Sequence, residues 1–193
     1  MFMPPRTKFS KEAIIDAAFE IAKTEGIDSI TVRKVADKLG SSIAPIYVNF
    51  TEVDELKQAV VVKLHDIAQQ MLRTQYSTDP FLDIGIASIK LAREYSVLFK
   101  DLIMNSNRYL PSIQPSSTNI VKQMQESTNL SGFSEEELAG IMFKMQVFQL
   151  GLSVMDVNGM LPENFDEEVI IRLLESAGKD FIMAARIHKK DKE

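Results

Sequence analysis

The sequence predicts an all-α protein of nine helices, with an N-terminal helix-turn-helix domain and a C-terminal helical bundle. Apolar residues recur at three- and four-residue spacing through most of the 193 residues. Sustained alternation of apolar and polar residues, the pattern of a half-buried strand, is not found. Helix-start signals and glycines divide the periodic runs from one another. We place the two domains at residues 8–55 and 56–193.

Three helices are predicted in the first domain. Ser10 is suited to cap the first helix, and Gly26 to end it with a left-handed residue. Thr31 is suited to cap a short second helix, which Gly40 ends. The third helix is expected to start at Ser41 or Ser42. If Ser42 is its N-cap, Pro45 lies in the first turn, where proline is tolerated. The apolar residues expected to anchor this third helix are Ile43, Ile46, Tyr47 and Phe50.

The second domain continues as helices. A fourth helix is predicted from about Glu52 and runs for about 20 residues at 1.5 Å per residue. Asp79 and Pro80 predict the start of the next helix. Later starts are predicted at Ser117, at Ser134 with its acidic first turn, and at about Asp166. The last helix is expected to fade into the basic tail at 188–190.

Composition excludes several functional classes. The chain has no cysteine and only two histidines, so cysteine zinc sites are excluded and a histidine metal site is not expected. We find no phosphate-binding loop and no nucleophile–base arrangement, so neither an enzyme nor a cofactor is predicted. No segment reads as a signal peptide or as a bilayer-spanning helix, so we expect a soluble cytoplasmic protein without membrane contact.

Residues 32–50 have the layout of a helix-turn-helix, in which the second helix enters the major groove of DNA. The net charge of −5 opposes general nucleic-acid binding, but residues 1–51 hold seven basic and six acidic side chains. The layout fits two interpretations, a three-helix corner of a core and a DNA-binding unit. On the second interpretation, Thr31, Arg33, Lys34 and Lys38 are suited to phosphates. The second helix then offers Ser41, Ser42, Ala44, Pro45, Tyr47, Val48 and Asn49 to the DNA, with Asn49 as the natural base reader.

The stretch TVRKVADKLGSSIAPIYVNFTEVDEL resembles the TetR family of bacterial transcriptional regulators, of the AcrR-like kind. The resemblance covers about residues 8–56. Asn49 stands where the family usually has histidine, and Val53 where it usually has a phosphate-binding lysine. The residues that match in register are Thr31, Ala36, Leu39, Gly40, Ser42, Tyr47, Phe50 and Leu56.

This resemblance implies a homodimeric repressor that binds a near-palindromic DNA operator and is released by a small hydrophobic effector. The effector pocket is expected at His65, Phe99, Met104, Tyr109, Met142, Met145, Phe148 and Gln149. The dimer interface is expected at Leu152, Met155, Ile170, Leu174 and Phe181, because the last two long helices carry apolar residues on more than one side. The alternative is an all-α protein-interaction module with weak or vestigial DNA binding.

Overall fold

A computed structural model describes residues 9–104, 109 and 117–190. These ranges hold nine α-helices and no strand, which confirms the predicted all-α class. The helices are α1 (Lys11–Glu25), α2 (Val32–Lys38), α3 (Ala44–Asn49), α4 (Val53–Leu72), α5 (Pro80–Glu94), α6 (Ser96–Phe99), α7 (Ser117–Gln125), α8 (Glu135–Val157) and α9 (Glu167–Lys190). A 3₁₀ turn at Ile27–Ser29 follows α1, and a π-helical turn at Lys100–Met104 follows α6.

The first of two compact units comprises the described residues of Met1–Ile67 and Tyr95–Gln114. As predicted, Ser10 caps α1, and its hydroxyl accepts the N–H of Ala13 at 3.1 Å. Gly26 ends the helix, but its φ of 90° and ψ of 163° are not those of the expected left-handed turn. This extended backbone with positive φ is open mainly to glycine, and it lets the 3₁₀ turn start at the next residue.

Branched apolar side chains close the core of the first unit. Ile14, Ile27, Val35 and Leu56 are fully buried, so α1, the 3₁₀ turn, α2 and α4 all contribute to it. An edge-to-face pair joins α1 to the segment before α6, with the rings of Phe19 and Tyr95 at 5.7 Å. Residues 95–104 therefore belong to this unit, and Tyr95, Leu98 and Leu102 are buried in it, although they are distant from α1–α3 in sequence.

The second unit comprises the described residues of Ala68–Glu94 and Pro115–Glu193. Its helix starts follow the sequence signals. Asp79 Oδ1 accepts the N–H of Phe81 at 3.0 Å, and Pro80 is the first residue of α5. Ser134 and Glu137 form the capping box of α8. The predicted fading at 188–190 is not observed, since α9 continues to Lys190.

The core of the second unit lies among α5, α7, α8 and α9. Its fully buried centre includes Met124, Leu174 and Ile170, around which the apolar faces of the four helices pack. A bidentate ion pair ties α5 to α8: Arg93 Nε lies 2.5 Å from Asp156 Oδ2, and Nη2 lies 3.0 Å from Oδ1. Its hydrogen bond to Asp156 raises the pKa of Arg93 above its usual value.

Helix α8 is apolar on two sides. Met145 and Leu138 face the core, whereas Phe143, Val147 and Leu150 are exposed on the other side. By length and composition alone, α8 is also the one helix in the described ranges that is apolar enough to cross a membrane. The sequence-based expectation of no such segment was therefore wrong on these two criteria. The expectation failed because α8 has an uncovered apolar face in addition to its core face, and the two faces together make the helix unusually apolar.

Candidate nucleic-acid interface

The turn between α2 and α3 is fixed by backbone hydrogen bonds. Gly40 has a φ of 60°, the left-handed conformation that glycine adopts without strain. Its N–H donates to Asp37 O at 3.1 Å, and the N–H of Ser41 reaches back to Ala36 O at 3.0 Å. These two bonds form a Schellman motif, which ends α2 and satisfies its last carbonyls. The glycine of the predicted helix-turn-helix therefore has a specific conformational role.

Two apolar side chains anchor helix α3 to the core. Ile46 and Phe50 are buried as predicted, at 1% and 4% exposure. The expectation that Ile43 and Tyr47 also anchor the helix was wrong, because they are 49% and 56% exposed. In a helix of six residues one face is enough for anchoring, and Ile43 and Tyr47 fall outside that face. With Val48, which is 69% exposed, they form an uncovered apolar surface that we call the α3 face.

The start of α3 differs from the prediction. The N-cap is Ile43 and not Ser42, and no side chain caps the helix. The hydroxyl of Ser41 instead donates to the carbonyl of Ser42 at 2.9 Å. Pro45 lies in the first turn, as expected. The side chain of Ser42 is therefore exposed and not used by the helix, as is that of Ala44.

Asn49 is turned towards its own helix. Its Nδ2 donates to the carbonyl of Pro45 at 2.9 Å, and the side chain is half-buried. An asparagine that reads adenine needs both its amide oxygen and its amide nitrogen. In this conformation the amide nitrogen is already engaged, so Asn49 would have to change rotamer to read a base in that way.

Helix α2 carries three basic residues, Arg33, Lys34 and Lys38. Lys34 Nζ lies 2.5 Å from Glu25 Oε2, so its charge is partly compensated within the protein. Arg33 and Lys38 are exposed, and they have no ion-pair partner within the described ranges. The hydroxyl of Thr31 caps α2 by accepting the N–H of Lys34 at 3.2 Å. Arg33 and Lys38 are therefore the two cations of this helix best placed to meet phosphates.

The start of α4 is not suited to phosphate. Val53 begins the helix, and its first turn carries the acidic residues Asp54 and Glu55. Glu55 Oε2 already accepts the N–H of Thr51 at 2.7 Å. The nearest lysine of this helix, Lys57, is buried and paired with Asp28 at 2.9 Å. The helix N-terminus is thus occupied by the protein's own carboxylates, where an anion would otherwise bind.

Two residues outside the predicted DNA-binding set support this region. Asp101, in the π-helical turn, accepts the N–H of Ile27 through Oδ2 at 2.8 Å. It thereby supplies a partner for a buried backbone amide between α1 and α2. Tyr109 donates its hydroxyl to Asp54 Oδ1 at 2.9 Å, at the start of α4. Separations of 74 and 55 residues leave no local sequence signal for either contact.

The residues predicted for an effector pocket are distributed over both units. In the first unit, His65 and Phe99 are half-buried and Tyr109 is buried by its contact with Asp54. The side chain of Met104 lies outside the described residues. In the second unit, Met142 and Met145 are core residues, and Phe148 packs edge-to-face on Phe181 at 6.2 Å. Gln149 is 4% exposed and its Nε2 has no hydrogen-bond partner among the described residues.

Most residues predicted for the dimer interface are internal to one chain. Leu152, Ile170 and Leu174 belong to the core of the second unit, with exposures of 6%, 0% and 0%. These three assignments were wrong, because the periodic pattern identifies an apolar face without saying which partner covers it. Phe181 is half-buried against Phe148, and Met155 is exposed. The uncovered apolar residues of the two helices are Phe143, Val147, Leu150 and Met155 on α8, and Met183 and Ile187 on α9.

This arrangement of helices is the fold of TetR-like transcriptional regulators. A TetR-like transcriptional regulator from Rhodococcus sp. RHA1 matches at a TM-score of 0.61 and 14% identity, over 92% of this chain and 96% of its own. A second transcriptional regulator from Rhodococcus sp. Rha1 matches at 0.62 and 17%, over 91% and 97%. BioQ, solved with its double-stranded DNA operator, matches at 0.51 and 17%, over 90% and 99%.

Sequence comparison adds one curated relative. A stretch of 64 residues is 34% identical to the HTH-type nicotine-responsive transcriptional repressor HdnoR of Paenarthrobacter nicotinovorans. The match covers 33% of this chain and 31% of that repressor, so the chain spans about a third of the length of its curated relative. No protein-family model matches the chain.

Proposed function

We propose that the chain is a DNA-binding transcriptional repressor that reads its operator with the α3 face. The observation that carries the proposal is the uncovered surface of Ile43, Tyr47 and Val48 on a helix that is otherwise anchored by Ile46 and Phe50. Apolar side chains read thymine methyl groups in the major groove, and the exposed Ser42 supplies a hydroxyl beside them. The match to BioQ, whose structure includes operator DNA, supports this use of the fold.

The charge arrangement fits sequence-selective rather than general DNA binding. Arg33 and Lys38 are the exposed cations of α2 without an ion-pair partner among the described residues, while the start of α4 is acidic. Few phosphate contacts give weak binding to arbitrary DNA and a shallow dependence on salt. We therefore expect most of the discrimination to come from α3, with α2 fixing its position on the backbone.

We further propose a homodimer built on the uncovered apolar residues of α8 and α9. Phe143, Val147 and Leu150 follow one another at four- and three-residue spacing, and they form one stripe on α8. Exposed apolar residues gathered in this way mark an interaction surface. A two-fold dimer carries two reading helices, which explains why the operator is expected to be near-palindromic. Such a protein acts where the DNA is, in the cytoplasm.

The DNA-binding proposal is tested by selection of duplexes from a random library with the full chain. Wild type should enrich a near-palindromic sequence with half-sites about one helical turn apart, roughly 10 base pairs. Tyr47→Ala should abolish or alter the enriched sequence, and Lys38→Ala should weaken binding to every sequence alike. Val62→Ala is the matched control, since Val62 is an exposed residue of α4. Failure of wild type to enrich any sequence would favour an interaction module with vestigial DNA binding.

Light scattering tests the dimer. Wild type should have about twice the 21.7 kDa mass of one chain. Val147→Glu should yield monomers, because it places a charge on the α8 stripe, whereas Val62→Glu, the same change on α4, should remain dimeric. A monomeric wild type, or a dimeric Val147→Glu variant, would contradict the assignment of this surface.

We also propose that a small hydrophobic effector binds the protein and releases it from DNA. Its support is the core of the second unit, where Met142, Met145 and Gln149 lie together on one helix. Methionine side chains adapt their shape, and the unpartnered amide nitrogen of Gln149 is suited to an acceptor group. Effector and operator must weaken one another's binding by the same factor, typically about 5–150-fold. Titration of a bound compound with and without the selected duplex measures this factor.

A further inference from the structure

A cavity of about 630 Å³ lies within the second unit, apart from Met142, Met145 and Gln149. It is bounded by the last turn of α4, the connection to α5, the first turn of α5 and one side of α7. Two bonds fix its walls. Gln123 Nε2 donates to Leu72 O at 2.9 Å, which ties α7 to α4, and Ser77 Oγ accepts the N–H of Asp79 at 3.0 Å in the connection.

The residues that line this cavity include one buried carboxylate, Asp83. Asp83 is 4% exposed, and its Oδ1 has no hydrogen-bond partner among the described residues. The other carboxylate of the lining, Glu126, is exposed. Burial of a carboxylate without a partner is costly, and it is offset only in part by the positive N-terminal end of α5, where Asp83 stands. Asp83 lines the cavity, so a donor from outside the protein that reaches its carboxylate would supply the missing partner.

We propose that this cavity binds a small organic cation, a protonated amine on an apolar body, with its ammonium group on Asp83. Leu72 and Ile120, both half-buried, supply the apolar walls for the body of such a ligand. Arg73 and Lys122 also line the cavity, but they are exposed, so solvent and salt screen their repulsion of the cation. The proposal gives the proposed repressor a second ligand site, separate from the effector site at Met142, Met145 and Gln149.

Calorimetric titration of the full chain with 4-phenylbutylamine tests this assignment without DNA. The amine should bind wild type, and the matched neutral compound 4-phenylbutan-1-ol should bind at least tenfold more weakly. Asp83→Asn, which keeps the shape of the side chain, should weaken the amine at least tenfold. Glu126→Gln is the control variant, because it removes an exposed carboxylate of the same cavity, and it should change the affinity less than twofold.

Equal binding of the amine to wild type and Asp83→Asn would overturn the proposal, as would equal binding of amine and alcohol, or no binding at millimolar amine. Thermal unfolding provides an independent measurement. An unpartnered buried carboxylate destabilises the fold, so Asp83→Asn should unfold at the same or a higher temperature than wild type, whereas a structural role for Asp83 would lower that temperature. Because no DNA is present, a failed duplex selection leaves these results unaffected and overturns only the repressor proposal.

Discussion

Replacement of Asp101 by alanine should destabilise the first unit by a predictable amount. Asp101 Oδ2 accepts the N–H of Ile27 at 2.8 Å, and Ile27 is fully buried. A hydrogen bond to a charged group contributes about 1.5–3 kcal/mol, and its removal leaves a buried amide without a partner. We expect Asp101→Ala to lower the free energy of unfolding by that amount, about 1.5–3 kcal/mol. For a chain of this size, this corresponds to a fall in Tm of about 3–12 °C.

Urea unfolding followed by circular dichroism measures this change. Asp101→Asn keeps a carbonyl oxygen but loses the charge, so we expect a smaller loss of about 0.5–1.5 kcal/mol. Asp66→Ala is the matched control, because Asp66 is exposed on α4 and makes no hydrogen bond or ion pair with the described residues. Its effect should stay within about 0.5 kcal/mol. If Asp101→Ala were no more destabilising than Asp66→Ala, the contact with Ile27 would contribute nothing.

Three further predictions concern single positions. Gly26→Ala should lower the free energy of unfolding by more than about 1 kcal/mol, because φ is 90° and the added Cβ would collide with Asp101. Urea unfolding measures this loss of stability. The loss should be smaller in the Asp101→Ala background, where the collision is removed. Ile46→Ala should lower the free energy of unfolding by about 2–5 kcal/mol, because it leaves a cavity in the core. Val48→Ala on the same helix should change it by less than about 0.5 kcal/mol. Equal effects of the two variants would contradict the orientation of α3, with Ile46 inside and Val48 outside. The backbone N–H of Ser134 lowers the pKa of Glu137 below its usual value. This carboxylate therefore contributes its full stabilisation at pH values above the unfolded pKa of 4.5, and it loses that contribution as the pH falls through the lower folded pKa. The stability difference between wild type and Glu137→Gln should therefore diminish on acidification, and a difference independent of pH would contradict this assignment.

Local signals predicted the fold well. Ser10, Thr31 and Ser134 each cap a helix through their own hydroxyl, and Asp79 caps α5 ahead of Pro80. These contacts span two or three residues, so the sequence contains both partners within one helical turn. The start of α3 was placed one residue early because two adjacent serines preceded it. The chain uses Ser41 for a bond within the turn and leaves the helix without a side-chain cap.

Contacts distant in sequence could not be predicted in this way. The bonds of Asp101 to Ile27 and of Lys57 to Asp28 depend on tertiary packing. The same limit explains the errors on α8 and α9. Periodicity identifies Leu152 and Leu174 as apolar-face residues, but the chain itself covers that face. The exposed stripe of α8 became distinguishable from the core stripe only once the burial of each residue was known.

The measurement that tests the central claim most directly is photo-crosslinking from α3 to the selected duplex. A photoreactive phenylalanine analogue at Val48, which is 69% exposed on the α3 face, should crosslink to bases inside each half-site. The same analogue at Val62, which is 45% exposed on α4, should not crosslink to bases. Absence of base crosslinks from position 48, or equal crosslinking from position 62, would contradict the assignment of α3 as the helix that reads DNA.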